Sequence, residues 1–176
     1  MKNCLLPTVI FTSLFILSCG YSFVGLSPIN LPQEQSDLYI SFVHNPTQEA
    51  WLEPYIRSKF RDEFTRRGGA RWVSEDQAQT YIHIDIKQLR TSDGVTSQRD
   101  KTVKTDVSIT VEVKMLSAET GELLWSSGNV TGRSSFFLAV EDSAFPGTTG
   151  PAQRRASEDA VDQALTRVAD RLGDGF

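Results

Sequence analysis

Between Val103 and Met115 the apolar positions fall on one parity. Val103, Val107, Ile109, Val111, Val113 and Met115 share it, and Lys104, Asp106, Ser108, Thr110, Glu112 and Lys114 occupy the other. A period of two is that of a strand with one buried face. At about 3.3 Å per residue the stretch would span roughly 43 Å, against a usual ~17–20 Å. The strand is therefore expected to belong to a long twisted hairpin or to project beyond its sheet.

Other segments have the same period over shorter lengths. Leu38, Ile40 and Phe42 alternate with polar or amphipathic neighbours, as do Ile82, Ile84 and Ile86 with His83, Asp85 and Lys87. Both predict strands. Arg71-Trp72-Val73 predicts a short one. The turn Ala118-Glu119-Thr120-Gly121 returns the long strand through Leu123, Leu124 and Trp125 towards Thr131. Gly132-Arg133 is expected to be a bulge, with Ser135 to Val140 extending the arm. Thr91 to Asp100 is polar, contains Gly94, and predicts a loop. A second loop, rich in glycine and proline, is expected from Phe145 to Pro151.

Two stretches change period. Leu52, Ile56, Phe60 and Phe64 recur every four residues, the spacing of a helix face. Pro54 is tolerated only in a first turn, which sets the start near Glu53. Arg66 and Arg67 suit the negative end of the helix, and Gly68-Gly69 supplies a left-handed stop. Val161, Leu165, Val168 and Leu172 make a second helix face, with Ser157 as the expected N-cap and Gly173 as the end. The order of elements predicts an α+β domain: two helices packed on one face of a mostly antiparallel (mixed), four-stranded sheet with a long β-hairpin.

The first residues read differently. Lys2 precedes an apolar run from Leu5 to Leu17, and Ser18-Cys19 follows it. A basic start, a short apolar core and small residues at the end make a secretory signal, and the run is too short to span a bilayer. Ile16-Leu17-Ser18-Cys19 resembles the lipobox of bacterial lipoproteins. That resemblance implies removal of residues 1–18, acylation of Cys19 and, with Gly20 in place of an aspartate, sorting to the outer membrane. A single acyl chain binds reversibly, at about 0.8 kcal/mol per buried CH₂, and the three chains implied for such proteins make a lasting anchor. Residues 19–36 are expected to form a tether and 37–176 a single domain.

Composition narrows the chemistry. Loss of Lys2 with the leader takes the net charge from −4 to −5. An acidic chain lacks the basic footprint of a general nucleic-acid binder. Loss of Cys4 leaves Cys19 alone, without an intramolecular disulfide, and two histidines offer no Cys/His metal site. No nucleophile elbow, Walker A loop or zinc-protease motif occurs. His83 and Asp85, two apart on one strand, suit a solvated polar face as well as a base and its orienter. No enzyme and no cofactor are expected. One charge cluster departs from the acidic average: Lys87, Arg90, Arg99, Lys101 and Lys104 are opposed only by Asp93 and Asp100. Such a loop and its flanks suit phosphates, and equally suit a solvated hairpin end with protective lysines.

Taken in order, these motifs resemble the LptE family of lipopolysaccharide-assembly lipoproteins. The resemblance rests on Cys19-Gly20-Tyr21, the helix ending Arg66-Arg67-Gly68-Gly69, the strand from Val103 to Met115, Ser135-Phe136-Phe137 and the last helix. It implies a plug inside the outer-membrane barrel LptD, a partnership that inserts lipopolysaccharide into the outer leaflet, and lipopolysaccharide binding by basic residues at a strand end. By that resemblance Arg99 is the candidate, with Lys101, Lys104 and Arg90 beside it. The loop between residues 141 and 156 departs from the family pattern. Another class of outer-membrane lipoprotein, such as an activator of cell-wall synthases, fits the same fold, and a hydrolase is a third reading.

Overall fold

The computed structural model describes residues 28–29, 31–96, 102–139 and 150–175. The leader, both cysteines, Arg99 and Lys101 lie outside them. Strand β1 (Asp37–His44) leads into helix α1 (Leu52–Arg67), then the short β2 (Arg71–Trp72). Three long strands follow, β3 (Thr80–Thr96), β4 (Thr102–Ser117) and β5 (Leu123–Ala139), before helix α2 (Pro151–Asp174). Together they form an α+β fold whose sheet has the order β2-β1-β3-β4-β5.

The sheet has five strands, not the expected four, and is mixed. β1 runs parallel to both β2 and β3, while β3, β4 and β5 are antiparallel. The parallel pairs follow from connectivity. A strand that returns alongside β1 after passing through α1 must re-enter in the same direction. The long arm has three strands of 17, 16 and 17 residues, so the overlong alternation of β4 is matched on both sides. Its first strand runs through Thr91 to Thr96, where a loop was expected, because β4 continues alongside and main-chain pairing does not depend on side-chain polarity. Thr91 pairs with Val107 and Ser92 with Asp106.

The helix-covered face is apolar. Leu38, Ile40, Ile82, Ile84, Ile86, Val107, Ile109, Val111, Val113 and Met115 are buried against Leu52, Ile56, Phe60 and Phe64 of α1 and Ala160, Val161, Leu165 and Val168 of α2. Ile29, upstream of β1, joins the same core. Phe60 and Phe64 stack with centroids 4.0 Å apart. Gly68 closes α1 at φ 77°, with its N–H on Thr65 O. The N-cap of helix α2 is Gly150, seven residues before the expected Ser157. Pro151, whose ring presets a helical φ, takes the first turn after Gly150, and Ser157 lies buried inside, donating to Gln153 O at 2.8 Å. At its other end α2 runs past Gly173 to Asp174.

Gly132 and Arg133 keep regular register with Ile109 and Ser108, so no bulge lies there. The irregularities occur nearer the turn, between Glu112 and Lys114 and between Met115 and Leu116. Gly132 is needed for a different reason: α2 crosses directly above it. A Cβ built there would stand 1.9 Å from Ala160 O and 2.7 Å from Ala164 N.

Helix α2 also closes the outer edge of β5. Arg171 donates to Ser127 O and, at 3.3 Å, to Asn129 O. Arg167 donates to Thr131 O, and Arg133 N donates to Gln163 Oε1 at 3.0 Å. Residues spaced by four on one helix thus match outward backbone groups spaced by two on one strand. Arg167→Ala with Arg171→Ala is expected to cost about 1–2 kcal/mol, since hydrogen bonds from charged donors are the stronger kind but these are partly solvated. Gln163→Ala should speed hydrogen exchange at the Arg133 amide. Unchanged exchange there would show that the edge is held by other means.

Candidate functional site

The face of the sheet opposite the helices has no layer over it among the described residues. Near β1 it carries a dense ion network. Lys87 Nζ lies 2.8 Å from Glu112 and 3.6 Å from Asp85, and Lys114 Nζ lies 3.3 Å and 3.8 Å from the same two carboxylates. The hydrogen bond from Lys87 holds the Glu112 carboxyl below its ordinary range, and Glu112 in turn raises Lys87. Lys87 is thereby committed within the sheet. Asp85 also faces His44 Nδ1 at 3.5 Å. His83, the other candidate partner of Asp85, packs edge-on against Phe42 instead. The base-and-orienter pair suggested by the spacing of His83 and Asp85 is not assembled.

Towards the far end of the arm the pattern changes. Register places Arg90, Ser108 and Arg133 in one row across β3, β4 and β5. Ser92, Asp106 and Ser135 make the next row, and Lys104 lies opposite Phe137 beyond it. Arg90, Lys104 and Arg133 are all exposed, and Phe137 is 67% exposed. Ser92, Lys104, Asp106, Ser108, Arg133 and Ser135 line a shallow depression of about 480 Å³. Lys104 contacts Asp106 at 3.1 Å, a solvated pair. No ion pair of Arg90 or Arg133 occurs among the described residues. The result is a cationic patch with serine hydroxyls between its charges and an exposed aromatic ring at its margin.

Of the four cations that the resemblance implied for lipopolysaccharide binding, the structure places Arg90 and Lys104 on this patch. Arg99 and Lys101 lie outside the described residues. Arg133 was missed. Continued without shifts from Leu116 opposite Leu123, the hairpin would put Thr131 opposite Ser108. The two irregularities near the turn advance β5 by two residues and bring Arg133 there instead. A shift of two preserves the inward and outward alternation, so nothing in the hydrophobic pattern signals it.

Among the described residues there is no group of three or more His, Cys, Asp or Glu side chains fit to hold a metal ion, and no helix is long and apolar enough to cross a membrane. The family model LptE, described as Lipopolysaccharide-assembly, matches residues 36–174. The chain belongs to the LptE family. Curated proteins offer no match. Among solved structures, a lipoprotein from Caulobacter crescentus CB15 superposes with TM-score 0.50 at 13% identity, covering 80% of this chain and 90% of that one. A minor lipoprotein from Acinetobacter baumannii gives TM-score 0.44 at 11% identity, covering 80% and 92%. At such identity the first likeness concerns the fold alone. The LptE match extends from just before β1 to the last turn of α2, so it takes in the whole β arm and both rows of the patch.

Proposed function

We propose that this LptE-family chain is an outer-membrane lipoprotein, anchored through Cys19, that serves as a non-catalytic plug of an LptD-type barrel and binds lipopolysaccharide with the far end of its β arm. The observation that carries the binding site is the row Arg90-Ser108-Arg133, with Lys104 two rows beyond, on the helix-free face. Lipopolysaccharide presents phosphates and carboxylates beside acyl chains. Guanidinium groups bind such anions through paired, charge-assisted hydrogen bonds. Phe137 offers apolar surface at the margin of the patch, and the serine hydroxyls suit sugar oxygens. Arg99 and Lys101, close in sequence to the end of β4, belong to the same proposed site.

Charge reversal tests it. Arg90→Glu with Arg133→Glu should weaken binding to purified lipopolysaccharide at least tenfold, since one lost charged hydrogen bond is worth about 1.5–3 kcal/mol. Both side chains are exposed, so the thermal midpoint should hardly move. Unchanged affinity would remove this site. The plug role is tested separately: mild extraction should recover a large barrel protein with the chain. Recovery of a cell-wall synthase without a barrel would overturn it.

A further inference from the structure

The two outer edges of the sheet differ. That of β5 is closed from Ser127 to Arg133 by Gln163, Arg167 and Arg171. On the opposite side β2 covers β1 only where Arg71 and Trp72 pair with Asp37 and Leu38. Val73 N then donates to Leu38 O at 3.2 Å, and the next outward carbonyl, that of Ile40, accepts from Arg57 Nη1 at 2.6 Å. From Ser41 to His44 no strand lies on that side among the described residues. A register shift between Ile40 and Phe42 leaves Phe42 51% exposed on the helix-free face.

A groove on the helix side leads up to this stretch and adjoins it at Ile40. One part is lined by Tyr39, Ile40 and Val73, the other runs along α1 from Pro54 to Thr65, and both share Arg57, Arg61 and Trp72. The Arg61 guanidinium lies 5.3 Å from the centroid of the Trp72 ring and makes no ion pair among the described residues. Arg57 reaches Glu53 at 3.7 Å, an exposed pair that is readily exchanged. Its other contact, Ile40 O, is a strand-pairing group held by a side chain.

An open edge supplies main-chain pairing, and flanking side chains select what pairs with it. Here the selection differs by face. Arg57 and Arg61 stand on the helix side, and Phe42 stands on the other. A strand laid along this edge would turn alternate residues to these two environments. We propose that the β1 edge docks an extended acidic protein segment, added as a strand beside Ser41–His44, with carboxylates towards Arg61 and Arg57 and apolar side chains on Phe42. On docking, the incoming backbone replaces Arg57 at Ile40 O and frees that guanidinium for a carboxylate. The site is remote from the proposed lipopolysaccharide patch and independent of it.

The probe is an acetylated, amidated octapeptide of alternating valine and glutamate, titrated into the full-length protein in detergent micelles. Saturable binding is expected, with shifted and exchange-protected amides from Ser41 to His44. Arg61→Ala should weaken it at least tenfold, and Arg61→Lys should restore part of the loss. A lysine-for-glutamate peptide and a peptide N-methylated on every residue should not bind. The proposal is overturned if the glutamate peptide fails to bind at millimolar concentration, if the lysine peptide binds as well, or if Arg61→Ala leaves affinity unchanged. It also fails if sedimentation without peptide shows a dimer joined through this edge, since a second copy then fills it. Arg133→Glu should leave peptide binding intact, which separates this result from that at the patch.

Discussion

Gly132→Ala is expected to destabilise the fold more than any other addition of a single methyl group to the described sheet. The new Cβ would lie 1.9 Å from Ala160 O and 2.7 Å from Ala164 N. Both are main-chain atoms of a helix, so no rotamer change relieves the contact, and α2 must lift as a body. Lifting it would also stretch the bonds from Gln163, Arg167 and Arg171 to the β5 edge. Overpacking of a core typically costs 1–3 kcal/mol, and a rigid neighbour places this site at about 3 kcal/mol or more. For a chain of this size that corresponds to a fall in thermal midpoint on the order of 10 °C. Calorimetry or denaturant titration would measure it. A loss below about 0.5 kcal/mol, the level of an ordinary surface substitution, would mean that α2 does not sit this close to β5. The alanines at 156, 160 and 164 complete the close approach: all three are buried and point to the same side of α2.

The second large effect is expected at Arg67. Its side chain is only 1% exposed, between the two helices. It donates to Glu63 Oε1 at 2.7 Å and to Thr166 O at 3.1 Å, and Nη1 lies 2.7 Å from Asp170 Oδ1 without hydrogen-bond alignment. This guanidinium joins the end of α1 to the middle of α2. Removing one partner of a buried ion cluster costs about 3–5 kcal/mol, because the partners left behind keep their desolvation penalty. Arg67→Met keeps much of the apolar stem and should cost nearly as much as Arg67→Ala if charge, and not packing, is the cause. Equal stability of Arg67→Met and the parent would refute the ionic account.

The same cluster gives stability an acid limit. Burial pushes the Glu63 carboxyl upward, but hydrogen bonds from Arg66 and Arg67 outweigh it and hold it below the ordinary glutamate value of 4.5. A carboxyl with a lowered folded value contributes its full stabilisation above the unfolded value and loses it as pH falls through the folded one. Stability should therefore decline below pH 4.5, and the decline should be shallower in Arg67→Met. Denaturant midpoints measured between pH 3 and 6 would show the difference.

Much of this was legible in the residues. The strand from Val103 to Met115, the α1 face of Leu52, Ile56, Phe60 and Phe64, and the stop at Gly68 are local patterns with local causes. Alternation needs only one buried face, and a glycine at positive φ needs only the end of a helix. Arg66 and Arg67 illustrate the limit. Both suit the end of α1 on electrostatic grounds. Yet Arg66 is exposed and Arg67 is buried, because α2 passes on one side only, and α2 comes from the far end of the chain. Ser157 fails for a related reason. It has the chemistry of an N-cap, but Gly150 and Pro151 start the helix about two turns earlier, and burial against the core keeps Ser157 inside it.

The candidate patch divides in the same way. Arg90 and Lys104 were visible as charges on a strand face, whereas Arg133 entered only through two irregularities near the turn. The sequence by itself determined the order of the main elements and the apolar faces of β4 and both helices, since these depend on side-chain period and backbone preference within a few residues. Phe42, expected beside Leu38 and Ile40, is turned to the opposite face by the shift after Ile40, and Thr91 to Thr96 is strand where a loop was expected. Tertiary structure decided that Arg71–Trp72 joins the sheet as its fifth strand, the parallel direction of β1, the Gly132 crossing and which cations share a row. Those are matters of register and contact between segments far apart in the chain, and a two-residue slide leaves the pattern of buried and exposed positions unchanged while moving every charge to a new neighbour.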